Sequence, residues 1–375
     1  MCWALLAFMI SFNLFIPEMN DILTGLDAPE LKGMSFTLFS ITAALCRPFS
    51  GKLSDTIGRK KVMYIGIIIG FLVTITYPIA GLGMFLALRL SHGLSAGFLP
   101  TGATALTTDL LPVEGRGVAM GIWGTFISVG FGFGNFFSLY IIKAVGLTGL
   151  FMTAAGFAVF SAILISQIKE TLPNPQKFSW SLLKVNWNDV FEPTVRPAAF
   201  VMFCSALSTG IMFVTTPDMS GFMGLENKGW FFIFYMSATI IIRLFASSLS
   251  DRIGRRPTLI IGLVFMFLCM IILGTSQHWI QYTIGAIVFG ISTGITSPTV
   301  MAWMADLAPE KRRGVGSGTV FIALEFAIMA GSGLTLPLYQ STLKSLFIPY
   351  MIGSAMAIVA IIYLFWHLKR RESLT

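Results

Sequence analysis

A short polar segment occurs twice in this chain, each time between two long apolar stretches. The first copy, 51–61, reads GKLSDTIGRKK, and the second, 248–257, reads SLSDRIGRRP. Asp55 and Asp251 hold the same place in the two copies and lie 196 positions apart, about half of the 375 residues. A motif repeated at half the chain length predicts two structurally equivalent halves.

The composition excludes an ordinary water-soluble domain. Hydrophobic residues make up 55% of the chain and charged residues only 11%, whereas soluble domains carry about 25% charged residues. The apolar stretches run for about 20 residues, the length of a helix that crosses a hydrocarbon core, rather than the roughly 10 of a barrel strand. The sequence therefore predicts an all-α membrane protein.

These apolar stretches predict twelve membrane-spanning helices. Their predicted limits are Met1–Leu23, Met34–Gly51, Val62–Ala80, Met84–Leu106, Val118–Ile142, Leu147–Ile168, Pro197–Met219, Gly229–Ser248, Thr258–Ser276, Trp279–Ala305, Val315–Leu338 and Leu346–Trp366. Six spans in each half predict two pseudo-symmetric bundles, 1–168 and 197–375, joined by a cytoplasmic loop over 169–196. Within that loop the run Phe178–Leu183 is suited to a short helix lying in the membrane interface.

The start of the chain does not have the pattern of a cleaved signal peptide. No basic segment precedes the first apolar run, and no small-residue cleavage site follows it. The chain begins inside its first span, as it would if a short cytoplasmic leader preceded Met1.

The basic residues predict the orientation. Eighteen Lys and Arg lie in the C-terminus and the loops that follow even-numbered spans, against four on the opposite side. By the positive-inside rule, both termini are predicted to be cytoplasmic, in the plasma (inner) membrane. The net charge of +8 thus follows from topology, and no nucleic-acid partner is expected. The four cysteines lack disulfide or metal-site spacing, so neither a metal nor a cofactor is expected.

Further residues repeat at nearly the same offset as the polar segments. The pairs are Arg47 with Arg243, Asp109 with Asp306, Arg116 with Arg313, and Pro17-Glu18 with Pro217-Asp218. The segment 51–61 resembles, nearly residue for residue, the cytoplasmic signature of the major facilitator superfamily, and the repeat extends the resemblance over essentially the whole chain. The resemblance implies a monomeric transporter of small molecules that works by alternating access, with a substrate site near the midplane between two bundles.

The signature residues have a physical use at a gate. Gly51 is expected to allow close helix approach, and Gly58 a tight turn. Asp55 suits the N-terminus of the eleventh span, where the helix dipole favours an anion. In the family such contacts hold the outward-facing state, so the resemblance implies a cytoplasmic gate. Its expected residues are Arg47, Gly51, Asp55, Gly58, Arg59, Lys60, Asp109, Arg116, Arg243, Asp251, Gly254, Arg255, Asp306 and Arg313. The alternative is that these charges only fix topology.

Glu325 is the most informative single residue within a span. It lies near the middle of the eleventh span, where an acidic side chain costs about 2.5–3.5 kcal/mol on the insertion scale. A carboxyl group in that place is expected to face a cavity and to exchange protons during transport. The alternative is a structural hydrogen bond to another helix.

Arg89 and His92 form a second candidate site in the fourth span. The run Arg89–Gly93 resembles an Arg-x-x-Gln-Gly motif of the family, with His92 in place of the usual Gln. Glu18 and Asp21, late in the first span, are expected at a similar depth, so that an ion pair with Arg89 and a proton relay through His92 become possible. Equally, Glu18 and Asp21 are solvated loop acids if Pro17 ends the helix.

The fifth span is rich in glycine. The spacing of Gly121, Gly130 and Gly134 resembles the antiporter motif of drug–proton exchangers, although Asn135 replaces the proline expected next. Ordinary packing of small residues between helices explains the same glycines.

The polar residues of the spans point to the class of substrate. Asn13 and Asn135 are the clear intramembrane amides, whereas a sugar site needs several to match its hydroxyls. The 34 Phe and 20 Met offer adaptable apolar surfaces. We therefore predict proton-coupled efflux of hydrophobic or amphipathic compounds; the alternative is a proton symporter that imports a small metabolite or organic acid through Arg89.

Two other function classes are less well supported by the residues. An intramembrane enzyme needs clustered nucleophiles or metal ligands, but His92, His278 and His367 lie far apart and form no HExxH motif. A receptor that does not translocate is expected to carry a long soluble domain, and these 375 residues contain none.

Overall fold

The computed structural model describes residues 1–110, 116–184, 186, 190–309 and 313–372. Within these ranges, the side chains of 108, 116–121, 244–248, 313–314 and 367–372 are not described.

Twelve α-helices are described, and we number them in chain order. They are α1 (Cys2–Asn13), α2 (Met19–Gly25), α3 (Lys32–Ile57), α4 (Arg59–Thr76), α5 (Leu82–Leu110), α6 (Arg116–Ser166), α7 (Arg196–Phe222), α8 (Trp230–Arg252), α9 (Arg255–Gly274), α10 (Trp279–Leu307), α11 (Arg313–Leu338) and α12 (Phe347–Glu372). Short 3-10 helices lie at Pro29–Leu31, Tyr77–Ile79, Trp180–Leu183, Pro193–Val195 and Lys344–Leu346.

The number of helices equals the number of predicted spans, but the correspondence is not one to one. Eight segments of the described chain are long and apolar enough to cross a membrane, and one of them, Ile122–Ser166, has 45 residues. That segment holds two spans, while α1 with α2, α3 and α8 supply the remaining three. The result is the predicted all-α fold of twelve spans in two bundles.

The first span is broken in its middle. The prediction was one helix over Met1–Leu23, but α1 ends at Asn13 and α2 starts at Met19. Pro17 explains the break, because a proline ring clashes with the carbonyl four residues earlier, here that of Asn13, and offers no N–H to it. Residues 14–18 continue as turns.

The 51 residues of α6 form two antiparallel segments. Gly146, with φ 72° and ψ 178°, interrupts the helical backbone between them. Gly130 lies beside Met9 and Gly134 beside Asn13, so the first segment of α6 runs parallel to α1. On the other segment, Ser161 donates to the carbonyl of Ala4 and Ser11 donates to the carbonyl of Ala154, so that segment runs opposite to α1. The predicted division into a fifth and a sixth span is therefore correct.

The chain divides into two compact units. The first contains Met1–Ala28 and Leu38–Val190, and the second contains Pro29–Thr37 and Phe191–Thr375. Helix α3 thus begins in the second unit and continues in the first from Leu38. The predicted bundle limits, 1–168 and 197–375, remain a proposal.

An apolar core holds α1, α4, α5 and α6 together in the first unit. Its buried residues are Ala4, Leu5, Phe8, Met63, Ile67, Leu99, Ala103, Leu106 and Ile165. A smaller cluster, Leu53, Ile57 and Val62, lies where α3 meets α4. The 3-10 helix Trp180–Leu183 packs its two leucines on this cluster and leaves Trp180 79% exposed. The predicted short helix is therefore present, and its place in the membrane interface stays a prediction.

Among the eight long apolar segments, the one that contains α7 is the most buried: 78% of its most apolar 18-residue stretch is buried, against 39–56% in the other seven. Its polar side chains bond within the second unit: Thr215 to the hydroxyl of Tyr350 at 2.8 Å, and Ser220 to the hydroxyl of Tyr282 at 3.0 Å. These contacts tie α7 to α12 and α10.

Candidate functional site

Arg59 is the central side chain of the first polar segment, which links α3 to α4. Its guanidinium donates to the Asp55 carboxylate and to the carbonyl of Ser54, and its Nε donates to Asp109 Oδ2 at 3.1 Å. The Arg59 side chain is 12% exposed. Gly58 makes the turn with φ 122°, a conformation that a side chain would strain. One cation therefore joins the ends of α3, α4 and α5, with the Asp109 partner that the sequence predicted.

The second polar segment repeats this geometry in the other unit. Arg255 donates to the Asp251 carboxylate, to Ser250 Oγ at 2.6 Å and through Nε to Asp306 Oδ2 at 2.8 Å. Gly254 precedes it with φ 90°. The sequence repeat is thus also a structural repeat, and the predicted contact of Arg255 with Asp306 is confirmed.

Glu170, which the sequence analysis did not single out, completes the first of these networks. Its carboxylate accepts the backbone N–H groups of Arg59 at 3.1 Å and Lys60 at 3.0 Å, which lie at the start of α4 and have no partner within the helix. Burial alone raises the pKa of Glu170, but hydrogen bonds from Leu172, Lys60, Arg59 and Thr171 outweigh it and lower the pKa from 4.5. The carboxylate therefore stays ionised at the positive end of the α4 dipole.

Lys60 and Thr171 extend the network around Glu170. The ammonium group of Lys60 donates to the carbonyl of Ser166 at 3.2 Å and to that of Ile168, while Thr171 Oγ1 donates to Asp109 at 2.7 Å. The end of α6 is thereby fixed to the start of α4. An acidic residue directly after the sixth span was visible in the sequence, but its partners are backbone amides, which leave no sequence pattern.

The other expected gate residues have varied outcomes. At Gly51 an added Cβ would meet no described atom within 4 Å, so the described residues supply no close helix contact there and the expectation stays a prediction. Arg47 and Arg243 lie partly buried on α3 and α8. The side chains of Arg116 and Arg313 lie outside the described part of the chain. The placement of Asp55 against the eleventh span concerns both units and stays a prediction.

Arg89 and His92 are both 2% exposed, on one face of α5. The Arg89 guanidinium carbon lies 4.9 Å from the centre of the Phe39 ring, and His92 Nδ1 lies 3.4 Å from the hydroxyl of Tyr77. Phe12 packs against His92 with ring centres 4.9 Å apart. A cation, an imidazole and a phenol are therefore enclosed by aromatic rings.

Glu18 and Asp21 lie in different surroundings. Glu18 is 7% exposed and its Oε1 accepts a hydrogen bond from Ser138 Oγ at 2.8 Å. Asp21, three residues further in α2, is exposed. Glu18 therefore contacts α6 and is not a solvated loop acid, whereas Asp21 is exposed but lies within helix α2 rather than in a loop.

Asn13 and Asn135 are buried with part of their hydrogen-bonding capacity unused. Each amide nitrogen donates to a carbonyl of its own helix, that of Met9 at 2.7 Å and that of Phe131 at 2.8 Å. Each Oδ1 is inaccessible and accepts nothing from the described residues. A Cβ added at Gly134 would lie 3.1 Å from Asn13 Cβ, so this glycine lets α6 approach α1 closely, as the packing interpretation predicted.

Glu325 is 6% exposed in α11 of the second unit. It therefore satisfies the burial expected of an intramembrane carboxyl group. Its neighbour Phe326 is 42% exposed, so this turn of α11 has one buried and one accessible face.

Comparison with known proteins identifies relatives over the whole chain. The family model described as Major Facilitator Superfamily matches residues 1–228 and 198–375. The multi-drug resistance efflux pump PmrA of Streptococcus pneumoniae is 27% identical over 321 residues, 80% of this chain and 78% of the pump. The staphylopine export protein of Staphylococcus aureus is 21% identical over 94% of this chain and 90% of its own length.

Solved structures share the fold at low sequence identity. The human organic anion transporter MFSD10 superimposes with a TM-score of 0.76 at 17% identity, covering 97% of both chains. The nucleoside transporter NupG gives 0.74 at 13% identity, with the same coverage.

Proposed function

The chain belongs to the Major Facilitator Superfamily, and from that premise we propose that it exports hydrophobic or amphipathic compounds in exchange for protons, by alternating access. It is a membrane-integral transporter of small molecules, not an enzyme. Export is supported by the relatives, which include PmrA and the staphylopine export protein. We propose that both termini are cytoplasmic and that the chain works as a monomer.

The observation that carries proton exchange is the burial of Glu325 in α11, where only 6% of the residue is exposed. An ionised carboxyl group within a membrane span raises the free energy of the folded protein. A carboxyl group kept in such a place is therefore suited to bind and release a proton in each transport cycle. Glu18, buried and hydrogen-bonded to Ser138, is the corresponding candidate in the first unit.

The remaining candidate residues have supporting roles in this proposal. Arg89, His92 and Tyr77 provide a polar patch within an aromatic wall, and the free acceptors of Asn13 and Asn135 suit a substrate with N–H or O–H donors. The networks of Arg59 and Arg255 serve as the cytoplasmic gate, because each joins three helix ends through one cation.

The test is drug transport in proteoliposomes under an imposed pH gradient, with tetraphenylphosphonium as the probe. Wild type is expected to accumulate the probe and to move protons in the opposite direction. Glu325→Gln is expected to lose gradient-driven accumulation by tenfold or more, while Glu226→Gln, which removes an exposed acid of the same unit, remains within twofold of wild type. Full coupling in Glu325→Gln would remove Glu325 from the mechanism.

Arg89 supports the second candidate function, import of a small organic acid with a proton. The Arg89 guanidinium, in a residue only 2% exposed, is suited to bind a carboxylate. A lipophilic cation such as tetraphenylphosphonium would gain nothing from this positive charge. The same vesicles distinguish the two functions when a panel of monocarboxylates replaces tetraphenylphosphonium. Import driven by the gradient and abolished in Arg89→Gln would favour the symporter.

A further inference from the structure

A charged cluster in the second unit lies outside the site described above. Lys32 is the first residue of α3, Asp218 lies near the end of α7, and Tyr339 and Ser341 follow α11. We call these four residues the Lys32 cluster. The ammonium nitrogen of Lys32 lies 2.7 Å from Asp218 Oδ2 and 2.9 Å from Ser341 Oγ, and the Tyr339 hydroxyl donates to the same Oδ2 at 2.6 Å.

The cluster pairs a carboxyl group with two donors. Asp218 Oδ2 accepts hydrogen bonds from both an ammonium and a phenol, an arrangement that suits a carboxylate acceptor. Burial, together with the nearby Asp218, raises the pKa of Tyr339, so its phenol keeps its proton and remains a donor. The side chains of Lys32 and Asp218 are 8% and 10% exposed. Each charge in this pair is therefore compensated chiefly by the other, and losing one leaves the other buried.

Two phenols of the described chain also contact this end of α7. Tyr282 on α10 bonds to the carbonyl of Thr216 at 2.8 Å, and Tyr350 on α12 bonds to Thr215. Both are neutral hydroxyl groups with partners on α7. The cation bonded to Asp218 in these contacts is Lys32.

The cluster is attached to a close helix contact. A Cβ added at Gly33 would lie 2.3 Å from the carbonyl oxygen of Ser332 and 2.4 Å from Thr335 Oγ1, so α3 and α11 meet backbone to backbone. One helical turn later, Thr37 Oγ1 lies 2.9 Å from Ser332 Oγ. These contacts place residues 29–37 in the second unit, although α3 continues in the first. The ion pair of Lys32 with Asp218 lies at the N-terminal end of these contacts between α3 and α11.

We propose that Asp218 is a further proton-binding site of this transporter, whose protonation releases Lys32 and frees the first turns of α3 from the second unit. The inference rests on the proposed transport function. A proton from the aqueous phase binds to the Asp218 carboxylate in place of the hydrogen bond from Lys32, and the ammonium then exchanges its contact with Ser341 for water. The ammonium, left without a counter-charge, moves to water on its flexible chain, since Gln340 and Thr342 beside Ser341 are exposed.

A transport experiment tests the coupling. Proteoliposomes carry wild type, Asp218→Asn, the charge-neutral double variant Lys32→Met/Asp218→Asn, or the control Glu30→Gln, which removes an exposed acid two residues from Lys32. Both Asp218 variants are expected to lose tetraphenylphosphonium accumulation under a pH gradient by tenfold or more, and to keep downhill equilibration within threefold. Glu30→Gln is expected to stay within twofold of wild type. Gradient-driven accumulation within twofold of wild type in Asp218→Asn overturns the proposal.

A labelling experiment tests the release without any substrate. Cys2, Cys46, Cys204 and Cys269 are replaced by alanine, and Ser35, which is fully buried on the first turn of α3, is changed to cysteine. At pH 7.5 a membrane-impermeant maleimide is expected to label Ser35→Cys at least tenfold faster when Asp218→Asn, which mimics the protonated carboxyl group, is added. The rates are corrected by the exposed Thr342→Cys.

The two readouts separate the inference from the proposed function. Labelling that stays slow in Asp218→Asn contradicts the release of α3. If wild type fails to transport tetraphenylphosphonium but labelling follows the expected pattern, the transport proposal fails for that probe and the proton-controlled release stands. The double variant covers the case in which Asp218→Asn alone does not fold, because it buries no unpaired charge.

Discussion

Replacing Glu170 by glutamine is expected to loosen the start of α4. The carboxylate accepts the backbone amides of Arg59 and Lys60, which are among the N-terminal amides without a partner inside the helix. Glutamine keeps an acceptor oxygen of similar shape but loses the charge, so the change removes the interaction with the helix dipole and weakens both hydrogen bonds.

The magnitude follows from the value of helix caps. Loss of an N-terminal cap costs about 0.5–2 kcal/mol, and a charge at this end of a helix contributes about 0.3–1 kcal/mol when it is accessible to water. Glu170 is only partly buried, so screening limits the second contribution. A total of about 1–2 kcal/mol corresponds to a roughly 5- to 30-fold larger opening constant for these amides.

Hydrogen exchange with mass spectrometry measures this constant in detergent or nanodiscs. At pH 7.5 the amides of Arg59 and Lys60 are expected to exchange about 5- to 30-fold faster in Glu170→Gln than in wild type. Val62 provides an internal control, since its amide bonds to the carbonyl of Gly58 at 3.3 Å. Glu226→Gln, in the other unit, controls for the loss of one acidic group.

The pH dependence gives a second check on the same variant. Because hydrogen bonds to backbone amides outweigh burial and lower the folded-state pKa of Glu170 from 4.5, its contribution is complete above that value. It is lost as the pH falls through the lowered pKa. The difference between wild type and Glu170→Gln should be constant from pH 8 to 5 and should shrink below 4.5. Equal exchange in the two proteins at pH 7.5 would refute the capping role.

Three other changes test separate parts of the structure. Gly33→Ala is expected to destabilise the protein by about 1–3 kcal/mol through overpacking, whereas Gly333→Ala, whose new Cβ would lie at an ordinary 3.6 Å from its neighbour, should be tolerated; thermal unfolding in nanodiscs compares them. Arg59→Lys is expected to reduce transport at least fivefold because a single ammonium cannot keep all three of the arginine's contacts, and rates similar to wild type would argue against a gate there. Asn135→Leu is expected to raise stability by about 1 kcal/mol, because it removes a buried acceptor that has no partner in the described chain, and to lower drug transport; unchanged transport would exclude this amide from the substrate site.

The sequence predicted the architecture because membrane spans and the half-length repeat depend on local patterns. The repeated pattern of aspartate, glycine and arginine predicted two equivalent turns. The structure shows the equivalent contacts, Arg59 with Asp109 and Arg255 with Asp306. The break after Asn13 was only one of two open readings. Pro17 causes this break through its clash with the carbonyl of Asn13, four residues earlier. Whether the helix breaks there also depends on how the broken ends are buried, which the local sequence does not report.

What could not be predicted depends on contacts between distant segments. Glu170 accepts hydrogen bonds from backbone amides at the start of α4. Almost any residue type supplies such an amide, so the sequence gives no sign of the contact. Lys32 was counted with the loop charges, and Asp218 was noticed only as the counterpart of Glu18. Their pairing requires that the first turns of α3 belong to the second unit, and no periodicity in a single sequence reports this.

The division of α3 between the units has a mechanical consequence. With 26 residues at 1.5 Å each, the helix is a rod about 39 Å long, with Lys32 at one end and Asp55 near the other. Its hydrogen-bonded backbone transmits a pull at either end, and the compliant point along it is Pro48, where one such bond is missing. We therefore expect bending at Pro48 to limit how much of a displacement at Lys32 reaches the turn at Gly58, and we expect Pro48→Ala to stiffen the helix without changing a charged group.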